Sequence, residues 1–371
     1  MDEQEIIDWS YFYLLPMISF IGFVLEIIST LTFIKIVKNN HTDIYKYLLA
    51  YSVSDAMALF IHCFIGVFKC GVHCNIEHSL AAKIYEFYIY LFIGNIFNTL
   101  SVFIDLKISL DRYLLISQKS NARLNKPSRP KLTITIFSAL SILLNIPYLF
   151  IYEIDKTETA AIVANNSTKT LYEFRVELSD RFKTNAKVNL MAIVGISKDF
   201  VLLFLVFTIN IMMTIAFRQR LRKKQYFTNC ETLSNTPNLK ADEKQTINDE
   251  NVNLNQILEN HETTNAQVTV NKFVKSSKNT KLMNNYNTER RVTLMILFLC
   301  LIFLLGHIPE MLYKLKSSLH NNYKLINFNY LPFFLIFANF MSFSTRGLNF
   351  FVYFLYNLVF RNALKDVFSK N

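Results

Sequence analysis

Seven stretches of this chain are longer and more apolar than the helices of a water-soluble core. They cover residues 13–37, 44–68, 83–116, 132–152, 188–217, 292–315 and 327–355. In helical form, about 20 apolar residues cross the hydrocarbon of a bilayer. Inside lipid the backbone must satisfy its own N–H and C=O groups, and a helix does so without help from a neighbour. The expected fold is therefore all-α, a seven-transmembrane helix bundle. Composition agrees, with 52% hydrophobic and 15% aromatic residues and only seven glycines and seven prolines, too apolar for an ordinary soluble domain.

Charge orients the bundle. A net charge of +11 would suit a nucleic-acid partner, but the basic residues gather in the segments 35–46, 119–131, 218–224, 272–291 and 361–370. Lysine and arginine collect on the cytoplasmic face of membrane proteins, so the lipid bilayer explains them and no nucleic acid is expected. Residues 1–12 carry Asp2, Glu3, Glu5 and Asp8 with no basic residue and should be extracellular. Seven crossings then leave the carboxyl end inside, in agreement with its charge. With neither a basic segment before the first run nor a small-residue cleavage site after it, that run reads as a retained helix rather than a signal peptide.

The expected organisation is an extracellular tail (1–12), helices one to five (13–224), a cytoplasmic loop (225–288), helices six and seven (289–355), and a terminal amphipathic helix with its tail (356–371). The 225–288 stretch is rich in Asn, Thr, Lys and Glu and poor in aromatics, a composition that predicts disorder. Its Ser234, Ser276 and Ser277 are candidate phosphorylation sites of low specificity. Leu358, Phe360, Leu364, Val367 and Phe368 recur at helical spacing with Arg361 and Lys365, as in a helix lying along the inner membrane surface. The segment 153–187 reads as an outer loop with overlapping glycosylation sequons at Asn165 and Asn166. Cys70, His73, Cys74 and His78 crowd the first outer loop. A Cys70–Cys74 disulfide is preferred there, with free thiols next and a metal site last, because the spacing fits no standard zinc pattern. Cys63 and Cys300 read as core residues, and no cofactor is expected.

Ionisable residues inside the apolar runs carry the functional signal, because charge in lipid is costly and faces the bundle interior. Glu26, Asp55, Asp105, Lys107 and Arg346 are such residues. Asp55 and Arg346 fall at similar depth and can pair, either as a fixed ion pair or as part of a core that changes partners between two states. Asn95, Asn98, Lys198, Asp199, His307 and Glu310 fall in the outer or middle part of their runs, where their convergence would make a ligand cavity. Lys198 and Asp199 equally suit a plain helix boundary. Pro309 should kink the sixth helix beside that cavity. Asp111-Arg112-Tyr113 ends the third run just before Gln118-Lys119. Its guanidinium needs an anion, and Asp111 or Glu289 could supply one. A snorkelling arginine at an ordinary helix end has the same local sequence.

Together these features resemble a rhodopsin-like (class A) G-protein-coupled receptor over almost the whole chain. Leu49-Ala50 and Ser54-Asp55 look like the family's helix-two motif, whose aspartate holds sodium, with Ser101 at the partner position. Asp111-Arg112-Tyr113 matches the triplet that faces the G protein, and Glu289 sits at the acidic position that locks its arginine. Phe303, His307 and Pro309 fall where helix six has Phe, Trp and Pro. Asn349, Phe350 and Tyr353 match Asn-Pro-x-x-Tyr, and Phe360-Arg361 opens the terminal helix. The resemblance implies an extracellular ligand, a heterotrimeric G protein as partner, and a place in the plasma membrane with the amino terminus outside.

Departures narrow the resemblance. Phe350 replaces the helix-seven proline and Asn210 the helix-five tyrosine, a combination similar to invertebrate FMRFamide-type neuropeptide receptors. Glu26 and Phe137 replace the usual helix-one Asn and helix-four Trp. Arg346 beside Asp55 puts a guanidinium where the family has sodium. Phe87 occupies the helix-three cysteine site, so the family's long disulfide should be missing. Gly94 stands where amine receptors carry an aspartate, and no lysine lies within 327–355 to bind retinal. A peptide ligand is the first reading, with its cationic group on Asp199 and Glu310. A chemosensory receptor for a small molecule is the nearest alternative, followed by a transporter or a non-signalling scaffold. No catalytic triad or nucleotide loop suggests an enzyme.

Overall fold

The computed structural model describes residues 3–39, 42–68, 76, 79–117, 129–164, 167–178, 198–220, 222, 290–313 and 331–369. The chain divides into two compact units, residues 1–216 with 295–371, and residues 217–294. The second contains, among the described residues, only the ends of the two helices that flank the 225–288 segment. The expectations for Cys70, Cys74, Asn165, Asn166, Glu289 and residues 225–288 lie outside the described residues.

The architecture is an all-α seven-transmembrane helix bundle. Its helices are α1 (Glu5–Asn39), α2 (Asp43–His62), α3 (Leu80–Ile116), α4 (Pro130–Phe150), α5 (Lys198–Arg220) and α6 (Arg290–Tyr313), followed by α7 (Leu331–Tyr356) and the short α8 (Leu358–Phe368). The first six are each long and apolar enough to cross a membrane. At 26 residues α7 is as long, but its buried face carries Ser342, Thr345, Arg346 and Asn349, which lower its mean hydropathy. Both α1 and α3 widen locally into π-helical turns, at Ser10–Leu14 and Tyr85–Ile93;.

Local chemistry sets the helix ends. The Ser79 hydroxyl accepts from the Ala82 N–H at 3.2 Å to start α3, and Pro130 begins α4, where its missing N–H costs nothing;. Asn357 caps α8 by accepting from the Phe360 N–H at 3.1 Å. That cap lets the chain turn one residue after α7 ends. Phe33 and Tyr353 then pack edge to face at 4.9 Å, both rings lie tilted against Phe360 at 5.1 and 5.6 Å, and Lys35 pairs with Asp366 at 3.6 Å, which ties α8 to α1.

Burial reveals faces that hydrophobicity hides. In α1 the buried positions include Leu15, Ser19, Gly22, Glu26, Ser29, Phe33 and Ile36, at helical spacing. The opposite face exposes Met17, Phe20, Ile21, Val24, Leu31 and Ile34. Lipid is as apolar as a protein core, so the small and polar residues go inward. Gly22 and Gly347 let α1 and α7 approach, since a Cβ on Gly347 would lie 3.1 Å from the Gly22 Cα. Between α6 and α7 the fit is tighter: a Cβ on Gly306 would meet the Thr345 hydroxyl at 2.2 Å. Two apolar clusters complete the core. One joins Tyr11, Leu15, Leu59, Ile65, Ile336 and Phe343, and the other joins Val102, Phe103, Val206, Phe303 and Leu304 across α3, α5 and α6.

The segment after α4 is not a plain loop. Strands β1 (Tyr152–Ala164) and β2 (Ser167–Leu178) pair antiparallel from Tyr152↔Leu178 to Ala164↔Ser167, with an irregularity between Glu158 and Ala160. Two runs rich in Thr, Val, Ile and aromatic residues around Asn-Asn are a hairpin pattern. Their mixed charge had suggested a loop.

Candidate functional site

Asp55 is the hub of a polar core in the middle of the bundle. It is fully buried, and its Oδ1 accepts from the Ser101 hydroxyl at 2.8 Å and from Arg346 Nη1 at 3.1 Å. Its Oδ2 accepts from Asn349 Nδ2 at 3.1 Å, and the same amide reaches the Tyr51 hydroxyl at 3.3 Å. Helices α2, α3 and α7 are thus joined through one carboxylate. Its fixed counter-charge is the guanidinium, itself buried.

Glu26 is also fully buried but takes a different partner. The Ser52 hydroxyl donates to its Oε2 at 2.6 Å, while Oε1 has no hydrogen-bond partner among the described residues. Asp105, one turn beyond Ser101 on α3, accepts at Oδ1 from the Cys300 thiol of α6 at 3.6 Å, and its Oδ2 has no partner among the described residues. Ser109 contacts the same sulfur at 3.1 Å. Lys107 leaves this core: it pairs with Asp111 one turn on and lies 5.6 Å over the Tyr47 ring.

Asp111, Arg112 and Tyr113 are half-buried at the end of α3. The expected role of Asp111 as an anion for Arg112 meets a competitor, because its carboxylate holds Lys107. A cation one helical turn away presents its ammonium more easily than an adjacent residue turned to another face. Arg112 lies within electrostatic reach of Tyr45 on α2. Tyr353 is fully buried among Phe33 and Phe360, and its hydroxyl has no partner among the described residues.

Toward the end of the bundle that carries the hairpin, α3, α5 and α6 line an open cleft. Asn95, Asn98, Asp199, His307 and Glu310 line it, together with Thr99, Val102, Leu202, Leu203, Phe303 and Met311. Its floor is aromatic, with the Phe303 and His307 rings 4.1 Å apart, and His307 Nδ1 stands 3.7 Å from Glu310 Oε2. The buried Asn98 Oδ1 has no hydrogen-bond partner among the described residues. Hence the cleft presents acceptors: two carboxylates and an amide oxygen.

Lys198 does not line the cleft, contrary to the sequence-based expectation. Its nearly buried ammonium donates to Asn145 Oδ1 at 3.0 Å, lies 3.5 Å from Asp199 and sits 5.5 Å over the Tyr148 ring. The Asn145 amide in turn donates to Thr99 at 3.1 Å and to the Ser141 carbonyl at 2.7 Å. An ammonium surrounded by a carbonyl oxygen, a carboxylate and a ring face is held as a strut between α3, α4 and α5. Sequence reasoning missed Asn145 and Ser52. The available signal was an amide two residues before the helix-four Pro147, and a hydroxyl on α2 about one turn before Asp55.

Compared with known proteins, the chain matches the model of the 7 transmembrane receptor (rhodopsin family) over residues 27–353. It belongs to that family. No curated protein matches it.

Proposed function

We propose that this rhodopsin-family receptor sits in the plasma membrane with its amino terminus outside, binds a neuropeptide in the α3–α5–α6 cleft, and activates a heterotrimeric G protein. The observation that carries the ligand class is the acceptor set of the cleft, Asp199, Glu310 and the unpartnered Asn98 oxygen above an aromatic floor. A ligand must bring donors and positive charge to such a site, and a peptide arginine followed by an aromatic residue offers both a planar guanidinium and a ring. Departures at Phe350 and Asn210, similar to FMRFamide-type receptors, favour the same class.

Signalling would work by differential affinity. The agonist binds more tightly to an arrangement in which α6 has moved away from α3 and Arg112 is released from Glu289 toward the G protein. Expressing the full chain in cells and screening arginine-containing invertebrate neuropeptides, with calcium and cyclic nucleotide as readouts, tests the proposal. The combined Asp199→Ala and Glu310→Ala substitutions should weaken peptide potency at least tenfold at unchanged surface expression. Unchanged potency would remove the ligand assignment. Neutralising Glu289 with Gln should raise ligand-independent signalling, while Arg112→Ala should abolish coupling.

A small-molecule ligand is the second reading. It is favoured by the gathering of Asp199, His307 and Glu310 with Asn95 and Asn98 in one cleft between three helices, a few convergent polar groups among apolar ones being the pattern of small-ligand sites. Substitutions in β1 and β2 separate the two readings, because a peptide long enough to leave the cleft would contact the hairpin and a small molecule would not.

A further inference from the structure

The buried acids of the bundle outnumber its buried cations. Glu26, Asp55 and Asp105 lie on α1, α2 and α3, and the cation among them is Arg346, committed to Asp55 at 3.1 Å. Asp105 is left with a weak donor. Its Oδ1 has the Cys300 thiol at 3.6 Å, and its Oδ2 is buried with no partner among the described residues. The groups that face it are Asp55 and Tyr51 from α2, Tyr353 from α7 and Cys300 from α6. None is a cation. From α5, Asn210 donates to the Val206 carbonyl at 2.8 Å and keeps its own Oδ1 buried and, among the described residues, unpartnered. The apolar cluster of Phe103, Phe303 and Val206 lies on the cleft side of this group. An ionised carboxylate with a bare oxygen is not stable in such surroundings unless positive charge joins it.

We propose that Asp105 is a proton-binding site at the junction of α3 and α6. Its Oδ2 carries the proton while the two helices are closed on each other. When α6 separates from α3, the Cys300 contact is lost, water reaches the carboxyl, the O–H bond breaks, and the proton passes to that water and on to the solvent, leaving a hydrated carboxylate. Release on opening rests on the receptor function proposed above; the proton site itself does not. Because the closed state binds the proton more tightly, raising the pH favours the open state. One proton gives a shift of at most about tenfold per pH unit in the open-to-closed ratio.

Infrared spectra of the purified full chain in lipid nanodiscs at neutral pH test the site directly. A C=O stretch of a protonated carboxylic acid is expected, lost in Asp105→Asn and moved in frequency by Cys300→Ser, which keeps the acid but strengthens its donor. If neither substitution alters a carboxylic band, the proposal falls. Replacing sodium chloride by N-methylglucamine chloride should leave the band in place. A band that appears only without sodium would assign the site to a metal cation and overturn the proposal. Nucleotide exchange on a G protein, measured without agonist between about pH 6 and 8 and divided by that of Asp105→Asn, should rise with pH by at most about tenfold per unit. A flat ratio alongside an intact band overturns release on opening. Failure of exchange at every pH strikes the proposed receptor function, and the infrared result still decides the proton site.

Discussion

Asp55 and Asp105 are carboxylates buried in the same bundle, and their surroundings are opposite. Asp55 has a donor on each oxygen and a guanidinium against it, drawn from α3 and α7. Asp105 has one thiol on one oxygen and nothing on the other. A saturated carboxylate holds its helices in one geometry, because any movement costs bonds that nothing replaces. A half-satisfied one is stabilised by whichever arrangement supplies the missing partner. The α1–α2–α7 side of the bundle is therefore expected to act as a frame, and the α3–α6 junction as the part that changes.

The largest effect should come from opening the saturated site. Arg346→Met leaves Asp55 buried without its counter-charge, at a cost of about 3–5 kcal/mol. The readout is thermal unfolding of the purified chain together with surface expression. Adding Asp55→Asn removes the stranded charge and should restore most of the loss. A single Arg346→Met variant with wild-type stability would mean that the pair does not anchor the frame.

Next in size is the contact between the two regions. A Cβ on Gly306 would lie 2.2 Å from the Thr345 hydroxyl, so Gly306→Ala must push α6 from α7 or force Thr345 to another rotamer. Overpacking of this kind costs about 1–3 kcal/mol. Thr345→Ala in the same chain removes the nearest atom and should recover much of the stability. If Gly306→Ala were silent by itself, the α6–α7 interface would be softer than its geometry indicates.

Much of the fold could be read from the residues alone, because seven apolar runs in a chain of this length admit few solutions in lipid. The contact between Asp55 and Arg346 was also legible, since two opposite charges at similar depth have no better partner than each other. The hairpin was not, because strand signals in a charged outer segment compete with the ordinary expectation of a loop. Nor was the placement of Lys198. Depth along a helix can be counted from sequence, but the direction in which a long flexible side chain turns depends on acceptors such as Asn145 on another helix. Hydropathy also fails to mark the inner face of α1, where both sides are apolar and only Glu26 and the small residues distinguish them.

A smaller loss is expected at the strut beside the cleft. Asn145→Ala removes one acceptor from Lys198 and the bond to Thr99, while Asp199 and the Tyr148 ring continue to hold the ammonium. Stability should fall by about 1–2 kcal/mol, measured by thermal unfolding. Because Lys198 does not line the cleft, agonist potency at equal surface expression should change far less than with Asp199→Ala.

Tyr353 should show the smallest effect on stability and separates packing from switching most clearly. Its ring is fully buried against Phe33 and Phe360, yet its hydroxyl bonds to nothing among the described residues. Tyr353→Phe keeps the ring and deletes an unsatisfied polar atom, so stability should stay within about 0.5 kcal/mol or rise slightly. If the hydroxyl finds a partner only after α6 moves, the same substitution lowers agonist-stimulated nucleotide exchange without lowering surface expression. A clear loss of stability would show that the hydroxyl already works in the closed bundle, and Tyr353 would then belong with Asp55 in the frame rather than with Asp105 at the junction.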